Sequence, residues 1–231
     1  MRLRSSLLAF VMSISAGGAA TAANLIVNGG FETPDAVDGG FVQVFGGTNF
    51  GGWTVTGLDV LLIDRNYTES GLVFNAAAGN QAVDLTGAGN TSPEDGVEQT
   101  VFGLQNGRLY RLSFELGNAA PIGGNGSNYT LPSTVRVSFD GGPALSFTNA
   151  VNNPTGNPGI NFQAFSTNYV ANASGQVTIR FFNGIGNDNY VGLDNVSLAV
   201  PEPATWALMI MGFGGAGAML RRRRTFATAR S

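Results

Sequence analysis

Apolar and polar residues alternate with a period of two along several stretches of the chain, the pattern of half-buried β-strands. From Tyr110 to Leu116, aromatic and aliphatic residues occupy the even positions and Arg, Ser and Glu the odd ones. The same alternation runs through Val135–Phe139 and Val177–Phe181. The turn-forming Asp140–Pro143 segment predicts a hairpin into a strand at Leu145–Phe147.

Shorter apolar stretches predict further strands. They are Leu25–Val27, Trp53–Thr56, Val60–Ile63, Ala82–Leu85, Val97–Phe102, Phe162–Tyr169 and Leu193–Val200. No stretch between them sustains an apolar period of 3.6 residues, so helices are not expected there. About ten short strands separated by Gly- and Asn-rich turns predict an all-β fold, an antiparallel two-sheet sandwich or jelly roll, over residues 24–199.

The first residues have the three-part layout of a secretory signal peptide. Arg2 and Arg4 precede an apolar run from Leu7 to Ile14, and small residues then lead to the Ala20–Ala22 cleavage pattern. We therefore expect residues 1–23 to form a signal helix that is removed on export.

The other end has the pattern of a short transmembrane helix. Ala204–Leu220 carries no charge and spans roughly 26 Å at about 1.5 Å per residue, slightly less than a bilayer core. Four arginines follow at once, Arg221, Arg222, Arg223 and Arg224. By the positive-inside rule they stop transfer and keep the 225–231 tail cytoplasmic, with the preceding domain across the membrane. The alternative, a basic nucleic-acid-binding tail, is disfavoured by export.

Immediately before this span stand Pro201, Glu202 and Pro203. The triplet, the Gly-rich span and the terminal Arg cluster together resemble the PEP-CTERM sorting signal of Gram-negative bacteria, over residues 200–224. The resemblance implies recognition of the triplet by an exosortase, a transient inner-membrane anchor, and delivery to the cell surface or the exopolysaccharide matrix of a biofilm. A Pro-rich linker before an ordinary anchor would explain the prolines only.

Composition narrows the chemistry that the domain can carry out. The chain has no Lys, His or Cys, which excludes imidazole and thiolate nucleophiles, zinc sites, disulfides and Schiff bases. Residues 24–199 contain five arginines and 14 acidic residues, a net charge of −9. This charge argues against nucleic acid and anionic lipid as partners, and it is compatible with calcium and neutral sugars.

Short motifs at both ends of the domain carry a second resemblance. The segments are Asn24–Glu32, Gly52–Gly57, Gly79–Leu85 and Gly192–Leu198. They resemble galactose-binding-like jelly rolls, which include many carbohydrate-binding modules and the DUF642 type. Members bind sugars, lipids or proteins, so the resemblance predicts a fold and leaves the ligand unknown.

The same resemblance implies a structural calcium ion held by Glu32 and Asp194. If the last strand is regular, Asp194 lies in phase with Val196 and Leu198, so its carboxylate faces the apolar side and needs a partner. Calcium binds through oxygen ligands alone. The alternative is that Asp194 accepts backbone N–H groups at a turn. For the oxygen-rich segment Asn187–Asn189 a plain turn is the stronger interpretation.

Sugar binding requires an exposed aromatic ring with polar neighbours. Trp53 belongs to the Gly-Trp motif and is expected in the core, whereas three tyrosines lie among polar loop residues, Tyr67, Tyr129 and Tyr169. A glycosidase would need two carboxylates across a cleft, which sequence spacing cannot reveal. Glu98 and Glu115 fall on polar strand faces, where solvation explains them.

The sequence therefore predicts a non-enzymatic exported protein, sorted through its C-terminal signal, with a structural or matrix-binding role. The alternatives are a carbohydrate-binding module with a specific sugar ligand and, less favoured, a carboxylate glycosidase.

Overall fold

The computed structural model describes residues 23–69, 71–89, 92–119, 129, 132–151, 159–184 and 190–201. These residues form strands and no helix. In chain order the strands are β1 (Phe41–Phe45), β2 (Asn49–Phe50), β3 (Trp53–Thr56), β4 (Asp59–Asp64), β5 (Thr68–Glu69), β6 (Leu72–Val73), β7 (Gln81–Asp84), β8 (Gly96–Phe102), β9 (Leu109–Asn118), β10 (Ser133–Phe139), β11 (Leu145–Asn149), β12 (Asn161–Val170), β13 (Gln176–Asn183) and β14 (Gly192–Ala199).

Two six-stranded antiparallel sheets pack face to face. Sheet A has the order β1-β4-β7-β14-β9-β12, and sheet B has the order β11-β10-β13-β8-β3-β2. Neighbouring strands in each sheet are often distant in sequence, as in the pairing of β14 with both β7 and β9. This is the all-β sandwich that the strand pattern predicts.

The core between the sheets is built by the alternation seen in the sequence. The even residues of Tyr110–Leu116 and the odd residues of Val177–Phe181 are buried in one cluster that joins both sheets. The hairpin predicted at Asp140–Pro143 connects β10 to β11. Trp53 is fully buried, as expected, and its indole Nε1 donates a hydrogen bond to the carbonyl of Asn28 at 3.0 Å.

Sheet A also carries a smaller apolar cluster on its outer face. Val60 and Leu62 of β4 point into the main core, whereas Leu61 and Ile63 join the second cluster. Leu72 and Phe74 cover these side chains from the short β5–β6 hairpin, which also forms an isolated parallel bridge between Val73 and Gly159. The continuous apolar run of β4 is therefore explained by burial on both faces.

The last strand departs from the expected regular geometry. Its pairing with β9 shifts register between Asp194 and Ser197, and Asn195 adopts a φ of 51°. Because of this bulge, Leu193 packs in the main core with Val196 and Leu198 while Asp194 is directed elsewhere. The strand predicted at Leu25–Val27 is wrong, since this segment is irregular and the Leu25 amide bonds the Leu198 carbonyl at 2.9 Å.

The predicted signal helix, the 204–220 span, the arginines Arg221–Arg224 and the 225–231 tail lie outside the described residues, as do Glu202 and Pro203. Within the described part of the chain, the structure contains no helix that is long and apolar enough to cross a membrane.

Candidate functional site

A cavity of about 260 Å³ lies on the outer face of sheet A, beneath the β5–β6 hairpin. Strands β1, β4 and β7 form its floor, and the turn after β7 forms one rim. Its lining is Phe41, Leu61, Ile63, Tyr67, Glu69, Phe74, Asp84, Thr86, Gly87, Ala88, Gly89 and Tyr129. The cavity exists because the hairpin covers the outward side chains of β4 and β7 without filling the space above them.

Aromatic rings form one wall of this cavity. Phe74 is at their centre, with its ring centroid 5.3 Å from that of Tyr67 and 6.0 Å from that of Tyr129. Tyr190 packs edge-on behind Phe74 at 5.2 Å, and Phe41 packs edge-on against Tyr67 at 5.3 Å. Phe74 is buried, but Tyr67 and Tyr129 are only partly covered, so part of each tyrosine ring remains available to a ligand.

A phenol and a carboxylate are paired at the edge of this wall. The Tyr129 hydroxyl donates a hydrogen bond to Glu69 Oε2 at 3.0 Å. Burial, followed by the negative charge of Glu69, raises the pKa of Tyr129 well above its usual value. The pKa of Tyr67 is raised by the same two causes in the same order. Both phenols therefore stay neutral and able to donate hydrogen bonds.

Asp84 lies deeper in the cavity and is hydrogen-bonded to the protein. Its Oδ1 accepts hydrogen bonds from the amide and the hydroxyl of Thr86, at 3.0 and 2.8 Å, and from the Val191 amide at 3.1 Å. These donors stabilise the ionised carboxylate and tie β7 to the start of β14. The contacts indicate a structural role for Asp84 in shaping the floor of the cavity.

The structure brings two of the three tyrosines singled out in the sequence, Tyr67 and Tyr129, into this one cavity. Tyr169 lies apart on β12, where its ring stacks on Phe139 at 5.0 Å. Sequence reasoning missed Phe41 and Phe74, because neither the β1 strand nor the β5–β6 hairpin was predicted. The signal for β1 was present in the alternation of Phe41–Phe45, in which Val44 is buried and Phe45 exposed.

The two carboxylates expected to hold calcium both reach the loop before β7. Asp194 Oδ2 accepts the amides of Ala77 and Ala78 at 2.9 and 3.0 Å. Glu32 Oε1 accepts the amides of Asn80 and Gln81 at 2.8 and 3.3 Å. The two acidic side chains thus brace one loop from two directions.

Glu32 and Asp194 are close enough for their charges to interact. A Cβ placed on Gly30 would lie 3.8 Å from both Asp194 Oδ1 and Glu32 Cγ. Burial is the main cause that raises the pKa of Asp194 to about 6, and the backbone amides oppose this shift while Glu32 adds to it.

These two residues offer only oxygen ligands, the type that calcium binds, although backbone amides already bond Asp194 Oδ2 and Glu32 Oε1. No group of three or more acidic side chains that could hold a metal occurs among the described residues, so backbone carbonyls or water would complete the ligand set.

The comparisons with known proteins divide the chain into two parts. Residues 22–199 match the family model HpiC1-like, described as HpiC1 cyclase. The chain belongs to the HpiC1-like family. Residues 199–224 match the PEP-CTERM protein-sorting motif, so the protein carries an exosortase sorting signal and is exported. No curated relative matches the sequence.

Solved structures share the fold of the HpiC1-like domain. An apo cyclase from Fischerella sp. superposes with a TM-score of 0.57 at 17% identity, covering 80% of this chain and all of that chain. The Stig cyclase Fisc from Fischerella sp. TAU, in complex with (3Z)-3-(1-methyl-2-pyrrolidinylidene)-3H-indole, gives 0.54 at 16% identity and covers 77% and 97%. A family 35 carbohydrate-binding module from Clostridium thermocellum gives 0.41 at 18%, covering 64% and 92%.

These likenesses concern the fold of the HpiC1-like domain. At 16 to 17% identity the cyclases share its sandwich architecture, and one fold can carry unrelated functions. The function therefore has to be argued from the cavity and its residues.

Proposed function

We propose that this exported protein associates with the extracellular matrix, and that its HpiC1-like domain binds a saccharide ring of the exopolysaccharide without chemical turnover. The observation that carries the proposal is the cavity on sheet A, where the partly covered rings of Tyr67 and Tyr129 lie beside Glu69. The apolar face of a sugar ring stacks on aromatic side chains, and its hydroxyls bind carboxylates and phenols.

Hydrogen bonds would fix the orientation of the bound ring. Glu69 is exposed, and its Oε2 already accepts the Tyr129 hydroxyl, which holds the carboxylate against the aromatic wall. The neutral Tyr67 phenol can donate to a sugar oxygen. A ring on the aromatic wall would therefore meet donors and acceptors at its edge.

Binding is favoured over hydrolysis by the hydrogen bonds of Asp84, one of the two acids that line the cavity. A glycosidase needs one carboxyl group to hold a proton and donate it to the leaving group. Oδ1 of Asp84 already accepts hydrogen bonds from Thr86 and Val191, which points to a structural role rather than to proton donation.

The test of sugar binding uses the exopolysaccharide purified from the host. Tyr67→Ala and Tyr129→Ala should each weaken retardation of the exported protein in an affinity gel by about tenfold, because each removes a stacking surface. Tyr169→Ala is the matched control, since this tyrosine is also partly covered but lies on β12. Equal retardation of all variants, or a larger effect of Tyr169→Ala, would contradict the proposal.

A second function is favoured by the family match and by the aromatic character of the cavity. Two Fischerella cyclase structures contain indole compounds, and rings such as Phe41, Tyr67 and Phe74 could enclose a flat aromatic ligand. Calorimetric titration with 4-(1H-indol-3-yl)butan-2-one separates the two functions. Saturable binding that Tyr67→Ala abolishes, together with no binding of polysaccharide, would replace the saccharide proposal by a cyclase-like one.

For sorting, we propose that exosortase recognises Pro201, Glu202 and Pro203, that the 204–220 span anchors the protein transiently in the inner membrane, and that Arg221–Arg224 stop its transfer. Glu202→Ala, or deletion of the four arginines, should leave full-length protein in the membrane or misplaced. Glu94→Ala, an exposed acid outside the motif, is the control. Release of a processed chain from either altered protein would refute this mechanism.

We further propose that Glu32 and Asp194 share one structural Ca²⁺ with backbone carbonyls or water. Their mutual repulsion and their common loop support this assignment. When bound, the ion would supply the positive charge that offsets two facing carboxylates. Its test, by stability against pH with and without calcium, is given in the Discussion.

A further inference from the structure

The outer face of sheet B carries a second recess, of about 400 Å³, formed by β8, β10 and β13 and by the β10–β11 turn. The side chains that point outward on these strands are hydroxyls, charged groups and one aromatic ring, because Val97, Val135 and Ile179 occupy the inward positions. This recess lies on the opposite sheet from the aromatic cavity and shares no lining residue with it.

Two arginines share the aromatic ring of Phe182. The guanidinium carbon of Arg136 lies 4.7 Å from the ring centroid, and that of Arg180 lies 4.5 Å from it. Strand register produces this contact, since Arg136 stands directly opposite Phe182 in the pairing of β10 with β13. On β8, the residue opposite Phe182 is Gly96. A Cβ added to Gly96 would lie 2.8 Å from the Cβ of Phe182. The nearest atom to such a Cβ would be the Phe181 carbonyl oxygen at 2.0 Å, so glycine at 96 allows the backbones of β8 and β13 to approach closely.

The two arginines differ in how their charge is balanced. Arg180 pairs with Glu94 at 2.9 Å and also donates to the Thr56 hydroxyl at 3.2 Å. Glu98 stands in register beside Arg180, so both acids of the recess lie on its side. Among the residues that the structure describes, no carboxylate pairs with Arg136 and no acceptor takes a hydrogen bond from it.

Within the described residues, Arg136 is the one arginine that makes neither an ion pair nor a hydrogen bond, since Arg180 pairs with Glu94 while Arg65, Arg108 and Arg111 donate to neutral oxygens. The side chain is partly buried, and the cation–π contact with Phe182 restricts the position of its guanidinium group. Stacking uses the face of the guanidinium group and leaves its N–H donors free in the plane, which is the geometry that a carboxylate accepts in a bidentate pair.

We propose that the recess around Arg136 binds the carboxylate of an acidic saccharide, a uronic acid residue of a polysaccharide. Arg136 would form the bidentate pair, and Phe182 is a positioning residue that holds the guanidinium plane. The hydroxyls of Ser138 and Thr178 line the same recess and supply neutral partners for sugar hydroxyls. The choice of a saccharide as the carrier of the carboxylate rests on the proposed function, whereas the preference for a carboxylate rests on Arg136 alone.

The test compares two ligands that differ only in charge, an oligogalacturonate and the same oligomer with its carboxylates methyl-esterified. Calorimetric titration of the protein as exported should show binding of the acid form that is at least about tenfold tighter than that of the ester, because a charge-assisted pair is lost in the ester. Arg136→Gln should remove this preference. Galacturonic acid monomer and acetate form a third arm, and binding of either as tightly as the oligomer would overturn the saccharide assignment.

Arg108→Gln is the matched control, because it removes the same charge from an exposed arginine that contacts Gln105 and does not line the recess. It should leave the acid preference unchanged. Arg136→Lys keeps the charge but loses the planar fork, so it should recover only part of the affinity. Thermal melting of each variant confirms that it folds. If folded Arg136→Gln binds the oligogalacturonate as tightly as the unchanged protein, or if Arg108→Gln weakens binding equally, the proposal is wrong.

A substitution in the aromatic cavity tests the arginine site separately from the function proposed for the cavity. Tyr67→Ala should leave the binding of oligogalacturonate unchanged while it weakens binding of neutral polysaccharide. If neutral polysaccharide does not bind but Arg136 still selects the acid form, the function proposed for the cavity fails and the arginine site stands. Loss of acid binding in Tyr67→Ala would place the ligand in the cavity and overturn the arginine site.

Discussion

The two outer faces of the sandwich use aromatic side chains in opposite ways. On sheet A a hairpin covers the outward side chains of β4 and β7, and the tyrosine rings beneath it are left partly free around a cavity. On sheet B the outward face is uncovered and polar, and its ring, that of Phe182, is 5% exposed because two arginines lie over it. An aromatic ring near the surface therefore marks a stacking site only when nothing in the protein already occupies its face.

The acidic residues of the two faces also differ in the partners to which they bond. In the cavity Glu69 is paired with a neutral phenol, which brings no positive charge to the pair. On sheet B Glu94 is paired with an arginine and is neutralised. The cavity is thus suited to an uncharged ring with hydroxyls, and the arginine face to an anion. Four changes separate these two faces experimentally.

The largest effect is expected from Phe74→Ala, which removes the centre of the covered face. The ring is buried against Tyr67, Tyr129 and Tyr190, so its loss should reduce the free energy of unfolding by about 3–5 kcal/mol. Guanidinium unfolding at 25 °C measures the change. Phe45→Ala is the control, because Phe45 is 60% exposed and its removal should change stability by less than about 0.5 kcal/mol. Similar losses for both would show that Phe74 does not support the covered face.

The second effect concerns Asp194, which holds the loop that leads into β7 on sheet A. In the folded protein burial raises the pKa of Asp194 to about 6, above its usual value of 3.8. The folded state therefore binds more protons than the unfolded state between these values, and this group's contribution to stability falls as pH rises through about 6. The loss between pH 4 and pH 7 should be about 2–2.5 kcal/mol when no divalent cation is bound.

Unfolding in EDTA at pH 4 and pH 7 measures this loss, and Asp194→Asn should remove the part of the pH dependence that belongs to this group. If Glu32 and Asp194 bind calcium, millimolar Ca²⁺ should restore stability at pH 7 in the unchanged protein and not in Asp194→Asn. Glu115→Gln on β9 serves as the control acid. No effect of Ca²⁺ at pH 7 would remove the calcium proposal and leave Asp194 as a carboxylate that binds backbone amides.

The strongly periodic strands could be predicted from the sequence because burial on one face imposes alternation. The stretches Tyr110–Leu116, Val135–Phe139 and Val177–Phe181 all appear as strands with the expected residues facing the core, although Phe139 is only partly buried. The bulge in β14 could not be predicted, since it depends on the positive φ of Asn195, a local backbone choice that burial does not signal. For that reason the expected phase of Asp194 with Val196 was wrong.

The sites were less predictable than the strands because they depend on register and on distant segments. Tyr67 and Tyr129 could be singled out as loop tyrosines, but only the folded hairpin shows that they share a cavity with Phe41. The alternation placed Arg136 and Arg180 on polar strand faces, yet nothing in the sequence states that β10 pairs with β13 so that Arg136 meets Phe182.

A smaller effect is expected from Tyr129→Phe, which keeps the stacking ring and removes the hydroxyl that bonds Glu69. Neutral polysaccharide affinity should fall by about two- to tenfold, the range of one hydrogen bond, while oligogalacturonate binding stays unchanged. Tyr169→Phe is a close control, because the Tyr169 hydroxyl also contacts a carboxylate, Asp140 Oδ2, at 3.3 Å. Affinity gels with both ligands measure the result, and a loss of acid binding in Tyr129→Phe would mean that the two faces are not independent.

The smallest effect on stability, and the one that most directly separates the two faces, is expected from Glu94→Gln. The side chain of Glu94 is 58% exposed and that of Arg180 is 25% exposed, so their ion pair should contribute less than about 1 kcal/mol to stability. Removing the acid leaves the positive charge of Arg180 without its ion-pair partner, so the positive potential over Phe182 rises. Oligogalacturonate affinity should therefore increase by about two- to threefold at low salt and lose this gain at high salt.

Neutral polysaccharide binding in the cavity should not change. Glu115→Gln, which removes a charge from sheet A, should leave acid binding as it was, and an equal gain there would attribute the effect to net charge rather than to the arginine face.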